Sequence, residues 1–181
     1  MKHLLKYLLT ATAVVFFLSC GDDKPLDEAW SLFENGQYSE AYAAFTNLPS
    51  NTGSSAAEGQ GWSAFMMDSI ELADAHFESI EEDSLPDSYA GWAFVRWAKN
   101  DYVGSVDRAK FVLLKKPTYV FTHNKKVTDK DLKVHQAYAQ FHLDNYTACN
   151  ELIAQLDATW VSTNEPEALL TKLESLYESF K

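Results

Sequence analysis

Five histidines, two cysteines and the acidic run Glu81-Glu82-Asp83 are the side chains of this 181-residue sequence with an obvious means of metal, thiol or acid–base chemistry. No two histidines have the H-x-x-x-H or HExxH spacing that sets imidazoles around one ion. His135 and His142 are seven residues apart, about 10 Å along a helix, too far to share an ion directly. They read as helix-surface residues, and no metal or cofactor is expected. The acidic run closes a helix ahead of Pro86 and reads as solvated charge, because paired acid–base catalysis needs convergent carboxylates and adjacency does not supply them. G-x-S-x-G, P-loop and dinucleotide fingerprints are all missing, so no catalytic residues and no enzyme are predicted. What remains is aromatic: Trp30/Phe33, Trp62/Phe65, Phe94/Trp97 and Tyr138/Phe141 form four pairs, each spaced by three. Such a ladder can grip an apolar helix or an extended peptide, or stack on sugar rings.

Each pair belongs to one copy of an internal repeat. Four ungapped copies align: Ala29 to Leu48, Gly61 to Ile80, Ala93 to Val112 and Ala137 to Leu156, at offsets of 32, 64 and 108 from the first. The first two are identical at six of twenty positions, among them Trp30 with Trp62, Ala41 with Ala73 and Phe45 with Phe77. A small residue opens each copy, and aromatics follow one and four residues later, which is helical spacing. Asn35-Gly36, Asp68-Ser69, Asn100-Asp101 and Asp144-Asn145 break that helix. A second apolar period starts at Tyr38, Ile70, Tyr102 and Tyr146, so every copy predicts a helix-turn-helix hairpin. Small residues on both helices (Ala29 with Ala41, Gly61 with Ala73, Ala93 with Ser105, Ala137 with Cys149) predict close approach within each hairpin. They also predict that Cys149 is a buried small residue and not a reactive thiol.

Gly36, Tyr38, Ala41 and Phe45 in this arrangement resemble the tetratricopeptide repeat, whose second helix begins Gly-x-Tyr-x-x-Ala. The chain departs from that pattern where Asn100 and Ser105 replace the glycine and alanine, and where Leu32, Ala64, Arg96 and Gln140 replace a first-helix tyrosine. The resemblance implies an all-α, right-handed superhelical array of about four helix-turn-helix repeats, over about 25–50, 56–83, 86–116 and 128–158 within 25–162. A capping helix is expected in 163–181, opened by Pro166, with Leu169, Leu170, Leu173, Leu176, Tyr177 and Phe180 on one face. Spacing between the third and fourth copies is 44 instead of 32, which places an insertion at 117–127. Tyr119, Val120 and Phe121 read there as a short extended run, and Thr128 with Asp131 forms a capping box. By the same resemblance the first helices line a concave groove carrying the eight aromatics. Their polar neighbours Glu28, Gln60, Arg96, Gln136 and Gln140 favour the other reading, in which that face is simply buried.

The N-terminus adds a compartment. Lys2 and Lys6 precede an apolar run from Tyr7 to Leu18, about 12 residues and shorter than the roughly 20 that span a bilayer, so 1–19 reads as a signal peptide. Phe17-Leu18-Ser19-Cys20 resembles the lipobox of bacterial lipoproteins, with Phe17 in place of the usual leucine. That resemblance implies acylation of Cys20 and a stable anchor, with 20–24 as a short tether. Expected is a lipid-anchored protein of the bacterial cell envelope, at the outer membrane on its periplasmic or surface face in preference to the inner membrane. Loss of the signal leaves 13 basic and 26 acidic side chains, a net charge of −13, which argues against nucleic acid as a partner. Arg108 to Lys133 nonetheless carries eight basic residues against two acidic ones. Within that stretch Lys115, Lys116, Lys125 and Lys126 offer a basic docking surface, with simple solvation as the alternative. The functional expectation is a membrane-anchored scaffold that binds another envelope protein or peptide. A glycan-binding lipoprotein and an accessory component of outer-membrane protein assembly are the alternatives.

Overall fold

The structure, a computed structural model, describes residues 24–180; the expected signal peptide, the expected lipidation site at Cys20 and the expected tether up to Asp23 lie outside the described residues. Four helical hairpins follow one another: α1 (Lys24–Glu34) with α2 (Tyr38–Thr46), α3 (Gly53–Met66) with α4 (Ile70–Glu78), α5 (Pro86–Ala98) with α6 (Tyr102–Lys115), and α7 (Asp129–His142) with α8 (Tyr146–Leu156). Between α6 and α7 lie two antiparallel strands, β1 (Val120–Phe121) and β2 (Asn124–Thr128), and α9 (Pro166–Ser179) closes the chain. No helix among the described residues is long and apolar enough to cross a membrane.

One local device ends every first helix. Gly36, Asp68, Asn100 and Asp144, equivalent positions of the four copies, all have positive φ between 55° and 77°. The next residue's amide then reaches back to the carbonyls of Leu32, Ala64, Arg96 and Gln140, each at 2.9 Å, and satisfies acceptors that the helix leaves unpaired. Aspartate and asparagine tolerate this left-handed conformation better than most residues, so three copies dispense with the glycine. Helix starts are equally specified. Asp101 Oδ1 accepts from Gly104 N at 2.9 Å, and the Thr128–Asp131 capping box is complete, with Thr128 N donating to Asp131 Oδ2 at 2.8 Å. The second repeat's first helix begins at Gly53, earlier than the sequence suggests, because a 3-10 turn at Ser50–Thr52 delivers the chain into it.

The small residues predicted between the helices of each hairpin are buried, Cys149 among them at 0% exposure. Contact between hairpins follows a second rule. Rings of Phe45 and Phe77, from α2 and α4, seat against Gly59 on α3 and Gly91 on α5, where any β-carbon would lie 2.3 and 2.5 Å from ring atoms. Polar groups enter this core in pairs: Asp74 accepts from Trp92 Nε1 at 2.7 Å and lies 3.0 Å from Arg96 Nε and 2.7 Å from Lys99 Nζ. At the far end, Asn150 takes both Trp160 Nε1 (2.8 Å) and Thr163 N (3.1 Å) on its Oδ1 and donates to the carbonyls of Tyr146 and Thr163. That set ties the 157–165 connection to α8. Helix α9 buries Leu169, Leu173 and Leu176, whereas Leu170 and Tyr177, expected on the same face, are exposed.

Candidate binding groove

First helices α1, α3, α5 and α7 pack on one another in succession and present the four aromatic pairs to one side. The insertion lies across half of that surface. Its turn at Thr122-His123 sends β2 back along β1, a pairing the sequence did not predict, because only Tyr119 to Phe121 read as extended. Phe121 stacks on Trp62 with centroids 4.1 Å apart and planes 16° apart, and meets Trp30 and Phe33 edge-on at 6.2 and 6.1 Å. His123 lies flat on Trp30 at 3.7 Å and 3°, its Nδ1 2.8 Å from Glu34 Oε1. Tyr119 and Phe121 are both fully buried. In consequence Trp30, Phe33 and Trp62 are at most 6% exposed: at this end the predicted groove is core, covered by a segment that the repeat pattern does not contain, whereas Phe94, 7% exposed, is packed by Trp62, Phe65 and His135.

Tyr119 carries a polar group into that core. Its phenol lies near Asp87 and Glu58, and burial followed by these two carboxylates raises its pKa. Glu58 accepts from Ser88 Oγ at 2.5 Å, and Lys116 Nζ is 3.7 Å from Asp87 Oδ1. Burial, reinforced by the charge of Asp87 and only partly offset by Ser88 and Lys116, pushes the Glu58 carboxyl up to about 7. Lys116, though exposed, reaches Asp87 and the edge of the Tyr119 site, and Lys115 sits 5.6 Å over Phe111. Lys125 and Lys126 are exposed on β2.

Beyond the hairpin the surface stays open. Phe65, Trp97, Tyr138 and Phe141 are only half-buried, and three adjoining depressions share His135. The largest, about 340 Å³, is lined by Trp97, His135, Tyr138, His142 and Tyr177. His135 packs edge-on against Phe94 (4.8 Å) and Trp97 (5.3 Å), and its Nδ1 is 2.8 Å from the Asp131 carbonyl. A carbonyl only accepts, so Nδ1 carries the proton; burial lowers the ring's pKa and keeps it neutral, leaving Nε2 as an acceptor. The Trp97 indole N–H is buried and without a partner beneath this surface. Glu174 and Glu178 help to raise the Tyr138 pKa after burial, so the rim carries negative potential. An aromatic trough with one acceptor and acidic edges suits an apolar side chain flanked by positive charge.

His135 corrects the expectation that both histidines of α7 are ordinary surface residues. Its signal was in the alignment: the second and third copies hold Gly59 and Gly91 at that position. Tyr177 was missed as a site residue because α9 lies outside the repeats. Cys149, with burial pushing its thiol up to about 11, offers no nucleophile. Among the described residues no three His, Cys, Asp or Glu side chains are grouped as a metal site.

No protein-family model matches the chain, and no curated protein matches it in sequence. Its fold, however, is similar to solved structures. MamA from MSR-1 superimposes with a TM-score of 0.64 at 13% identity, over 88% of this chain and 98% of that one. PilW, described as a type IV pilus biogenesis factor, gives 0.60 at 17% identity over 82% and 67%. A tetratricopeptide repeat protein from Parabacteroides merdae gives 0.59 at 9% over 88% and 62%. With four helical hairpins, a left-handed residue at each hairpin turn and this set of structural neighbours, the chain has a tetratricopeptide-repeat-like fold.

Proposed function

We propose that this protein is a lipid-anchored scaffold of the bacterial cell envelope, held by Cys20 and binding an extended segment of another envelope protein in the open half of its groove. The observation that carries the binding reading is the trough around His135: half-buried aromatics about an imidazole, left uncovered where the hairpin stops. Support for the anchor comes from the lipobox-like Phe17-Leu18-Ser19-Cys20. Only Gly21, Asp22 and Asp23 separate Cys20 from α1, a reach of roughly 14 Å even when extended, which keeps the repeats close to the membrane surface. The type IV pilus biogenesis factor among the structural neighbours is a precedent for this fold in pilus biogenesis. Neutral His135 and the acidic rim favour peptides with an aromatic or aliphatic side chain next to lysine or arginine.

Selection of peptides displayed on phage against the mature chain tests the groove. Enriched peptides are expected to carry that apolar–basic pattern, and Trp97→Ala or Tyr138→Ala is expected to weaken them at least tenfold. Enrichment of peptides indifferent to both substitutions would remove the groove from the proposal. Membrane fractionation tests the anchor: Cys20→Ala is expected to release the chain from the membrane fraction and to abolish labelling by an alkynyl fatty acid.

A further inference from the structure

Helix α7 has a second face. At about 100° per residue, Lys133 and Gln136 project from one side of the helix. The trough residues Asp131, His135, Tyr138 and His142 project from the side about 180° away. The Lys133 side opens into a cleft of about 450 Å³ between α6 and α8, walled by Leu113, Leu114 and Leu152 and rimmed by exposed Lys110 and by Lys133, whose Nζ is held by Asp129 at 2.8 Å. Three features of this cleft are unusual for a merely solvated surface. Leu114 is 83% exposed, the most exposed large apolar side chain of the described residues. Gln136, only 4% exposed, has an Oε1 without a hydrogen-bond partner in the cleft floor. The cleft also lies in the one basic stretch of an otherwise acidic chain: Arg108 to Lys133 is net +6, the whole sequence net −11.

We infer that this cleft is a second docking site, for an amphipathic helix of a partner protein whose apolar residues seat on Leu114 and Leu152 and whose flanking carboxylate meets Lys110. The shape is that of a helix laid in a groove between two helices. The charge of the rim specifies the sign of the partner, and an exposed leucine desolvated at the centre of such a contact supplies the affinity. Gln136 Oε1 accepts one side-chain donor from the bound segment. Because the trough and the cleft sit on opposite sides of α7, the protein engages two partners at once and bridges them beside the membrane.

The test uses the mature chain and two fluorescent amphipathic helical peptides with identical leucine faces, one with a glutamate face and one with a lysine face, read by anisotropy. The glutamate peptide is expected to bind at least tenfold more tightly than the lysine peptide and to weaken as salt is raised. Leu114→Ser and Lys110→Glu are each expected to reduce its affinity about tenfold or more without moving Tm, since both side chains are exposed. Tyr138→Ala leaves it unchanged, which separates this site from the trough. Equal binding of the two peptides, or indifference to both cleft variants, overturns the inference. So does concentration-dependent dimerisation abolished by Leu114→Ser, which makes a second copy the occupant, or binding confined to phosphatidylglycerol vesicles, which makes it a membrane.

Discussion

Replacing Phe121 by alanine measures whether the insertion is an ornament on the repeats or part of their core. The ring is 0% exposed and touches four others, stacked on Trp62 at 4.1 Å and edge-on to Trp30, Phe33 and His123. A buried Phe→Ala change costs about 3–5 kcal/mol through lost transfer energy and the remaining cavity. Aromatic pairing, about 0.5–1.5 kcal/mol, places this site in the upper part of that range. About 4 kcal/mol is expected, a large fraction of the roughly 5–15 kcal/mol that stabilises a domain. With a urea m-value of about 2 kcal/mol/M, the unfolding midpoint falls by about 2 M. Urea titration followed by far-UV circular dichroism and tryptophan emission is the assay. Emission of the folded variant is also expected to shift to the red, because Trp30 and Trp62 lose their cover. Val120→Ala, on a neighbouring residue 44% exposed, is the control and is expected to cost under about 1 kcal/mol. A loss for Phe121→Ala no larger than that of Val120→Ala would refute the claim that the hairpin completes the core.

Gly91→Ala brings a β-carbon to 2.5 Å from Phe77 and 2.9 Å from Trp62, both about 1% exposed, so a loss of about 1–3 kcal/mol is expected despite alanine's better helix propensity. Gly36→Ala meets no neighbour but has φ of +77°, and its expected cost of about 1–2 kcal/mol in urea titration is purely conformational. Glu58, raised to about 7, binds a proton in the folded state that it has lost in the unfolded one between pH 4.5 and about 7. Its contribution is therefore complete below pH 4.5 and declines as pH rises through about 7. Glu58→Gln keeps an acceptor for Ser88 and is expected to flatten that decline in Tm measured from pH 5 to 8; parallel curves for the two proteins would sink the assignment.

Hairpin repeats were legible because their determinants are local. Small residues at equivalent positions of paired helices, a Gly, Asp or Asn at each turn, and a 3.6-residue apolar period act within about twenty residues and recur four times, and each appears in the structure where the pattern put it. The capping box at Thr128 was legible for the same reason. The groove was not, since its state depends on contacts between residues 59 to 93 positions apart, such as Phe121 with Trp62 and His123 with Trp30. An aromatic pair at helical spacing has the same sequence signature whether it is bare or covered. Only the path of the insertion decides that Trp30, Phe33 and Trp62 are interior while Trp97 and Tyr138 stay open. Burial of His135 and the opposite faces of α7 are decided in the same way, by what α5, α8 and α9 bring alongside. Sequence alone determined the repeating unit, its turns and the basic stretch; tertiary structure decided which copies of one aromatic motif became core and which remained surface.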